Sequence, residues 1–354
     1  MKEIANRKLK VAIISPPWFP VPPPGYGGIE MVVSLLTEGL CAKGHDVTLF
    51  ASGDSKTKAR LSSVFAEAVK QKISGNVHLE NMHSLYAYGM AQEFDVIHDH
   101  DGYSSRLLGA LTNRLLKKPV IATLHGPADG YGKNFYASVA TNLLFVAISN
   151  FQRQSYGALN FLATIPNAIE IKNYPFSPLG GDYLLFVGRM IKEKGARIAI
   201  AVAKNLGKKL IMIGKCREDA ERAYFNEEVK PYLSKNINYL GEVDQATKLE
   251  LYQNACCTIF PIQWTEPFGL VMIESMACGT PVVAIKNGSV PEVVKDGVTG
   301  YIVNNKDGMI QAVRKIGNIK RSDCRDLVMQ QYNEELFIDR HERAYKSALS
   351  IFER

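Results

Sequence analysis

The chain has 354 residues, of which 46% are hydrophobic and 22% are charged, and its formal net charge is +7. This composition excludes disordered and fibrous classes, and the length favours about two domains with sizeable cores. The modest basic excess suits an anionic small molecule, an anionic membrane surface or an ordinary solvated surface, and no nucleic-acid partner is expected.

The first half of the chain alternates short, β-branched apolar runs with helical segments. A loop rich in Pro and Gly over residues 16–28 follows the first run, and Ile29–Lys43 has helical periodicity. Such runs are typical of strands in a parallel sheet that is covered on both faces. The predicted strands are Leu9–Ser15, Val47–Ala51, Phe94–His98, Val120–Leu124 and Leu144–Ile148.

A turn-rich stretch over Asn160–Asp182 interrupts this alternation and predicts a linker. A second series of strands then follows, and Asn333–Phe352 has the pattern of an amphipathic helix. The predicted strands of the second series are Tyr183–Val187, Lys209–Ile213, Ile237–Leu240, Cys256–Pro261 and Pro281–Ala284. We therefore expect domains over residues 1–165 and 183–332, a linker over 166–182 and a final helix within 333–354.

The six cysteines form no CxxC pair and no zinc-like spacing, so they are expected to be buried free thiols in a reducing compartment. The polar N-terminus has no signal-peptide core, and no apolar run approaches the length of a membrane span. These features predict a cytoplasmic protein.

The stretch Thr265–Pro281 is the most informative for chemistry. It follows a predicted strand, and it has Pro and Gly where a helix would begin, so the amides around Gly269–Val271 could hold a diphosphate. Glu266 and Glu274 are eight residues apart, on the order of 10 Å along a helix, which suits two ends of one elongated ligand. The alternative is a surface glutamate before the helix and a solvated glutamate within it.

A basic turn follows the strand at Tyr183–Val187. Arg189 has a planar guanidinium that can donate two parallel hydrogen bonds, and Lys194 has a compact ammonium charge. This combination suits two phosphate groups at the carboxyl edge of a parallel sheet. The alternative is a solvated run of charges. The chain contains no GxxxxGK[ST] and no GxGxxG motif, which disfavours a P-loop NTPase or an ordinary Rossmann dehydrogenase.

Three segments of the first half could also take part in binding. The glycines of Gly25–Glu30 would let backbone amides approach a phosphate or sugar, unless the segment is simply a flexible loop. His98–Asp101 contains imidazoles and carboxylates that could bind a metal ion, although a polar edge of the sheet without a metal is the favoured interpretation. Arg106–Lys118 is amphipathic and basic, which fits either attachment to an anionic membrane or a helix that covers a sheet face.

Several of these segments occur in one co-linear order that resembles the retaining GT-B enzymes of glycosyltransferase family 4. The resemblance spans nearly the whole chain. It implies an α/β fold of two Rossmann-like, doubly wound domains that face a central cleft, with the final helix packed on the first domain. The matching segments are Gly27–Glu30, His125-Gly126, Pro166–Ala168, Arg189 to Gly195, Glu266 to Glu274, and Gly288–Gly300.

The resemblance implies roles for residues of the second domain. Arg189 and Lys194 would bind the donor diphosphate with the amides of Leu270 and Val271, next to Gly269. Glu274 would hold the ribose, and Glu266 would meet sugar hydroxyls. The backbone at Glu242 and Val243 would contact the base.

In the first domain, the resemblance implies that Gly27 and Gly28 close over the phosphates and that His125 lies beside the anomeric carbon. From the residues alone, a single histidine after a strand is equally a packed structural group.

The implied activity is transfer of a sugar from a nucleoside-diphosphate sugar, most simply a UDP- or GDP-sugar, to the hydroxyl of a sugar, lipid-linked or small-molecule acceptor. No metal and no cofactor beyond this donor is expected, and peripheral contact with the inner face of a membrane is compatible with the sequence. The alternatives are a GT-B-type epimerase or phosphorylase and a non-catalytic protein that binds sugar nucleotides or polyanions.

Overall fold

The computed structural model describes residues 7–69 and 77–352, which form two compact units. The first unit contains the chain up to Pro23, Gly27–Asn167 and the C-terminal segment from Glu334. The second contains Pro24–Tyr26 and Ala168–Asn333. The chain leaves the first unit after Asn167 and returns to it at Glu334. A backbone hydrogen bond joins the two segments next to these points, in which Ile169 N donates to Tyr332 O at 3.1 Å.

The first unit is built on a parallel sheet of seven strands in the order β3-β2-β1-β4-β5-β6-β7. Strand β1 is central, and its Val11 pairs with Val47 on one side and Val96 on the other. The strands are β1 Lys10–Ile14, β2 Asp46–Phe50, β3 Arg60–Ser62, β4 Val96–Asp99, β5 Val120–Thr123, β6 Leu144–Ala147 and β7 Phe161–Thr164. The helices are α1 Gly28–Ala42, α2 Val77–Gly89, α3 Tyr103–Leu116, α4 Gly130–Val139 and α5 Asn150–Tyr156.

The second unit is built on a parallel sheet of six strands in the order β10-β9-β8-β11-β12-β13. The strands are β8 Leu184–Val187, β9 Leu210–Ile213, β10 Ile237–Tyr239, β11 Cys257–Phe260, β12 Val282–Ile285 and β13 Gly300–Val303. The helices are α6 Ala196–Leu206, α7 Asp219–Tyr224, α8 Gln245–Asn254, α9 Leu270–Ala277, α10 Val290–Val293, α11 Lys306–Arg314 and α12 Arg321–Gln331.

Both sheets confirm the prediction of two doubly wound parallel domains, and their inner strands are buried end to end, as such sheets require. Three short strands had not been predicted. β3 and β7 are edge strands that are half-buried or exposed, and β13 begins at a glycine within a turn-rich segment. Strand β7 lies inside the turn-rich stretch Asn160–Asp182, close to its start.

The C-terminal helix α13, Glu334–Phe352, belongs to the first unit and packs on α1. Its buried face includes Phe337, His341 and Tyr345. The Tyr345 hydroxyl lies 2.7 Å from His98 Nδ1 at the end of β4. At the surface of this contact, Lys43 Nζ donates to Glu342 Oε2 at 2.6 Å and also to Asp339.

We predict that Glu342→Gln weakens the attachment of α13 in a pH-dependent way. Partial burial opposes ionisation, but hydrogen bonds and charge from Lys346 and Lys43 outweigh it and lower the pKa of Glu342 to about 2. Because the folded pKa is depressed, the stabilisation is present above the unfolded pKa of about 4.3 and is lost as the pH falls towards 2. Urea unfolding should show a deficit of about 1 kcal/mol at pH 7. That deficit should vanish near pH 2, and a pH-independent deficit would contradict this assignment.

Candidate active site

The second sheet changes winding direction between β8 and β11, which are hydrogen-bonded neighbours although two other strands, β9 and β10, lie between them in the chain. In open parallel sheets, ligands bind outside the carboxyl ends of the strands at such a switch point. Two loops therefore define the candidate site, the basic turn over residues 188–195 after β8 and the loop over residues 261–269 after β11.

An ion pair joins these two loops. Lys194 Nζ lies 2.6 Å from Glu266 Oε2, and the Glu266 side chain is only 9% exposed. Trp264 completes the cluster, because its Nε1 donates to the same oxygen at 2.8 Å and Lys194 Nζ lies 4.8 Å from the centre of its ring. The structure therefore brings two predicted site residues into contact, and it rules out the alternative that Glu266 is a surface glutamate. The sequence analysis did not single out Trp264.

Gly195 allows the two loops to approach this closely. Its φ is +78°, and a Cβ on it would lie 2.1 Å from the Pro261 carbonyl oxygen. Only glycine fits this combination of left-handed backbone and close contact. A backbone hydrogen bond from Gln263 N to Glu193 O at 2.7 Å fastens the same junction.

The segment Gly288–Gly300 supports the backbone of Glu266 from the other side. Gly288 has a φ of +56°, and a Cβ there would lie 2.2 Å from the Glu266 carbonyl oxygen. Ser289 N donates to that oxygen at 2.9 Å, and Ser289 Oγ donates to Phe268 O at 2.9 Å. This predicted segment thus holds the glutamate loop in place.

Arg189, at the start of the basic turn, is held by acidic side chains that the sequence analysis missed. Its Nε donates to Glu221 Oε1 at 2.7 Å, and an Nη lies 3.4 Å from Glu218 Oε2. Burial opposes ionisation of Glu221, but the backbone N–H groups of Glu218 and Arg217 and the Arg189 guanidinium outweigh it and lower the pKa of Glu221. The signal available in the sequence was the capping box that these two glutamates form at the start of α7.

Glu274 lies in the middle of α9 and is 9% exposed, so the alternative of a solvated glutamate is also wrong. Three donors hold its carboxylate. Lys248 Nζ and the Tyr174 hydroxyl bind Oε1 at 2.9 and 3.2 Å, and the Tyr252 hydroxyl binds Oε2 at 3.0 Å. Burial and the adjacent Glu274 carboxylate raise the pKa of Tyr252 well above its ordinary value, so this tyrosine stays a donor.

The remaining predicted residues of the second unit lie at the ends of its helices and strands. Gly269 directly precedes α9, so Leu270 and Val271 are its first residues, and the first N–H groups of a helix have no partner within it. Glu242 follows β10 and pairs with Arg217 Nε at 2.6 Å, and Val243 comes just before α8.

In the first unit, His125 follows β5 and contacts His100, which follows β4. His100 Nδ1 lies 2.9 Å from His125 Nε2, and the rings are stacked with centroids 5.2 Å apart. The His98 ring lies 4.1 Å from that of His100, and His341 of α13 lies beyond it at 5.4 Å. Burial and then the Arg106 charge lower the pKa of His125 to about 3.

Gly27 directly precedes α1, and Gly28 is its first residue. Glu30 in the same turn is 2% exposed, and burial raises its pKa to about 7. The structure therefore places a buried carboxyl group directly behind the predicted glycines.

The carboxylates of Asp99 and Asp101 accept hydrogen bonds from other groups of the protein. Asp99 Oδ2 accepts from the Tyr88 hydroxyl at 2.8 Å, Asp99 Oδ1 accepts from Asp101 N at 2.8 Å, and Ser84 Oγ donates to Asp101 Oδ2 at 3.3 Å. Across the described residues, no group of three or more His, Cys, Asp or Glu side chains has metal-binding geometry.

Two parallel doubly wound units with a basic site at a sheet switch point fit the GT-B fold, and comparison with known proteins gives the family. The model for Glycosyltransferase Family 4 matches residues 26–173, and that for Glycosyl transferases group 1 matches residues 168–334. The chain belongs to glycosyltransferase family 4, and it is an enzyme of this class, as the sequence predicted.

Individual relatives agree with this assignment. The phosphatidyl-myo-inositol mannosyltransferase of Mycolicibacterium smegmatis is 28% identical over 336 residues, covering 86% of this chain and 84% of that protein. The fold is similar to that of sucrose-phosphate synthase from Thermosynechococcus elongatus, with a TM-score of 0.83, 20% identity and coverage of 98% and 100% of the two chains. Anabaena HepE, solved with UDP and glucose, has a TM-score of 0.76 and 18% identity, with coverage of 96% and 100%.

We predict that the buried histidines make the protein sensitive to mild acid. Burial lowers the pKa of His341 to about 4 and those of His98 and His100 well below 6.5. Because these folded pKa values are depressed, the free energy of unfolding is highest above about pH 6.5, where the histidines are neutral in both states. Below that pH it falls by about 1.4 kcal/mol per pH unit for each imidazole. Urea unfolding between pH 7 and 5 should show this slope, and His341→Gln should reduce it by one proton. An unchanged slope in the variant would contradict the prediction.

Proposed function

We propose that the enzyme transfers a sugar from a nucleoside-diphosphate sugar, a UDP- or GDP-sugar, to an acceptor hydroxyl with retention at the anomeric carbon. The observation that carries the proposal is the Lys194–Glu266 cluster beside the start of α9 at the switch point. A cationic side chain and free helix N–H groups suit a diphosphate. The UDP and glucose in the Anabaena structure support a sugar nucleotide as the donor.

Arg189 and Lys194 are the proposed diphosphate ligands, together with the amides of Leu270 and Val271. Each cation is matched by a carboxylate in the free protein, so the phosphates would share these cations with Glu221 and Glu266. Negative charge grows on the leaving diphosphate during transfer, and fixed cations and amides stabilise it where it forms. On this proposal the reaction needs no divalent cation.

Glu274 is the proposed ligand of the ribose hydroxyls. Its two oxygens accept three hydrogen bonds from the protein, and a carboxylate has about four acceptor positions, so capacity for a ligand remains. The tyrosine and lysine donors keep the carboxylate oriented before the nucleotide arrives. The backbone at Glu242 and Val243 is proposed to contact the base.

Glu266 is proposed to accept hydrogen bonds from the transferred sugar. Its pairing with Lys194 would link recognition of the sugar to the charge on the phosphate beside it. The acceptor, whether a sugar, a lipid-linked or a small molecule, is assigned to the first unit, with His125 serving the reacting sugar and Gly27 and Gly28 the phosphates. Attack on the front face of the sugar then requires no carboxylate nucleophile.

We predict opposite effects for the two glutamates on binding of the bare nucleoside diphosphate. Glu274→Gln should weaken UDP or GDP by about 10- to 100-fold, because hydrogen bonds to a charged group contribute about 1.5–3 kcal/mol. Glu266→Gln should leave this affinity unchanged or tighten it, because Lys194 is freed, but it should abolish most transfer. Calorimetry measures the first property, and product formation from sugar-nucleotide panels measures the second.

Glu250→Ala is the matched control, since this glutamate is exposed on α8, and it should change neither property. Both assays should give equal results with EDTA and with added Mg²⁺. Equal loss of nucleotide affinity in the two variants would contradict the separate roles. An epimerised donor or phosphate-dependent cleavage would favour the epimerase or phosphorylase alternative, and binding without turnover across acceptors would favour a non-catalytic protein.

A further inference from the structure

Helix α3 directs a row of large apolar side chains into solvent. Tyr103, Leu107, Leu111 and Leu115 are 47%, 49%, 46% and 74% exposed. Residues four apart lie on the same side of an α-helix, so these four form one continuous stripe, roughly 18 Å long at 1.5 Å per residue. Exposed apolar surface that is contiguous marks an interaction site more often than scattered single residues do.

The stripe is not the side of α3 that covers the sheet. The buried residues of the helix are small or polar, and they are Ser105, Arg106, Gly109, Ala110 and Asn113. Arg106 donates to the Thr123 carbonyl oxygen at 2.8 Å, so even this basic residue belongs to the inner side. Packing on the sheet, the alternative that the sequence left open for this helix, therefore does not account for the leucines.

Neighbouring elements also carry apolar side chains. Helix α2 packs alongside α3 and exposes Met82 and Leu85, by 51% and 64%. At the other end, Tyr103 meets Phe135 edge to face with ring centroids 5.2 Å apart, and both line a cavity of about 490 Å³.

The charged side chains of α3 itself are all basic. Residues 103–116 contain no Asp or Glu, and Arg114 and Lys117 are exposed where the helix ends. Near the start of the helix, Asp129 lines the same cavity as Tyr103 and accepts a hydrogen bond from Gly132 N. The acidic residue of α2, Glu80, is engaged by the Trp18 indole N–H at 3.0 Å. The apolar stripe is therefore bordered by basic side chains with no carboxylate of its own helix beside them.

We propose that this surface, the α3 stripe with Met82, Leu85, Arg114 and Lys117, docks the enzyme onto an anionic lipid membrane. Leucines that enter the boundary between headgroups and acyl chains, with basic side chains on the anionic headgroups, are the arrangement of an interfacial helix. No helix of the described chain is long and apolar enough to span a membrane, so α3 would lie in the surface. A second copy fits less well, because a symmetric pair would add another set of basic side chains and no carboxylate from α3.

The test is co-sedimentation of the full chain with vesicles, without donor or acceptor, so that its result is independent of the proposed transfer reaction. One set of vesicles is phosphatidylcholine, and the other contains about one third phosphatidylglycerol. We expect at least tenfold tighter binding to the anionic vesicles, and this preference should fall at high salt because headgroup attraction is screened. Leu107→Gln/Leu111→Gln/Leu115→Gln and Arg114→Gln/Lys117→Gln should each reduce binding at least tenfold.

The matched control replaces exposed apolar residues elsewhere, Leu179→Gln/Met329→Gln/Ile351→Gln, and should bind like the wild type. Circular dichroism checks that the variants fold, which is expected because every replaced side chain is exposed. Equal binding to neutral and anionic vesicles, no binding to either, or wild-type binding by the leucine variant would overturn the proposal. So would a concentration-dependent dimer, seen by ultracentrifugation without vesicles, that the leucine substitutions dissolve.

Discussion

The ion pair between Lys194 and Glu266 is the interaction on which the candidate site depends. It ties the turn after β8 to the loop after β11, at the point where the winding of the second sheet reverses. Gly195 lets the loops touch, Gly288 and Ser289 brace the glutamate backbone, and Trp264 shares the carboxylate oxygen. A largely buried charge pair of this kind is costly to break by removing one partner, because the remaining charge stays desolvated.

The same arrangement recurs across the second unit. Arg189 is matched by Glu221, and Lys248 by Glu274, so each cation is already oriented by a carboxylate in the free protein. Oriented charges need little reorganisation when a ligand arrives, which is the condition under which they stabilise developing charge best. This pairing also favours anionic ligands. A neutral ligand that separated an ion pair would leave the cation without a negative partner.

The sequence predicted the two sheets well because their inner strands are buried on both faces and therefore appear as continuous apolar runs. β3, β7 and β13 escaped prediction because edge strands are partly solvated and carry no such signal. Glu266, Glu274, Arg189 and Lys194 could be singled out from motif spacing. Glu221 carried a local signal, the capping box that it forms with Glu218. Trp264, Tyr174 and Tyr252 carried none, since their contacts with the two glutamates depend on the fold itself.

Helix α3 shows a different limit of sequence reasoning. Its pattern is amphipathic, but amphipathicity alone does not say which side is buried. Gly109 and Ala110 pack on the inner side, and Arg106 makes internal hydrogen bonds there. Leu107, Leu111 and Leu115 remain exposed on the outer side. Only the packing shows which side of the helix faces the sheet.

We propose that the second unit holds the donor diphosphate through Lys194, Arg189 and the start of α9. The most direct measurement is a crystal structure of the enzyme with whichever of UDP, GDP and ADP raises its melting temperature most. We expect phosphate oxygens about 3 Å from Lys194 Nζ and from the amides of Leu270 and Val271. A nucleotide bound chiefly by the first unit, or phosphates remote from Lys194 and Arg189, would contradict it.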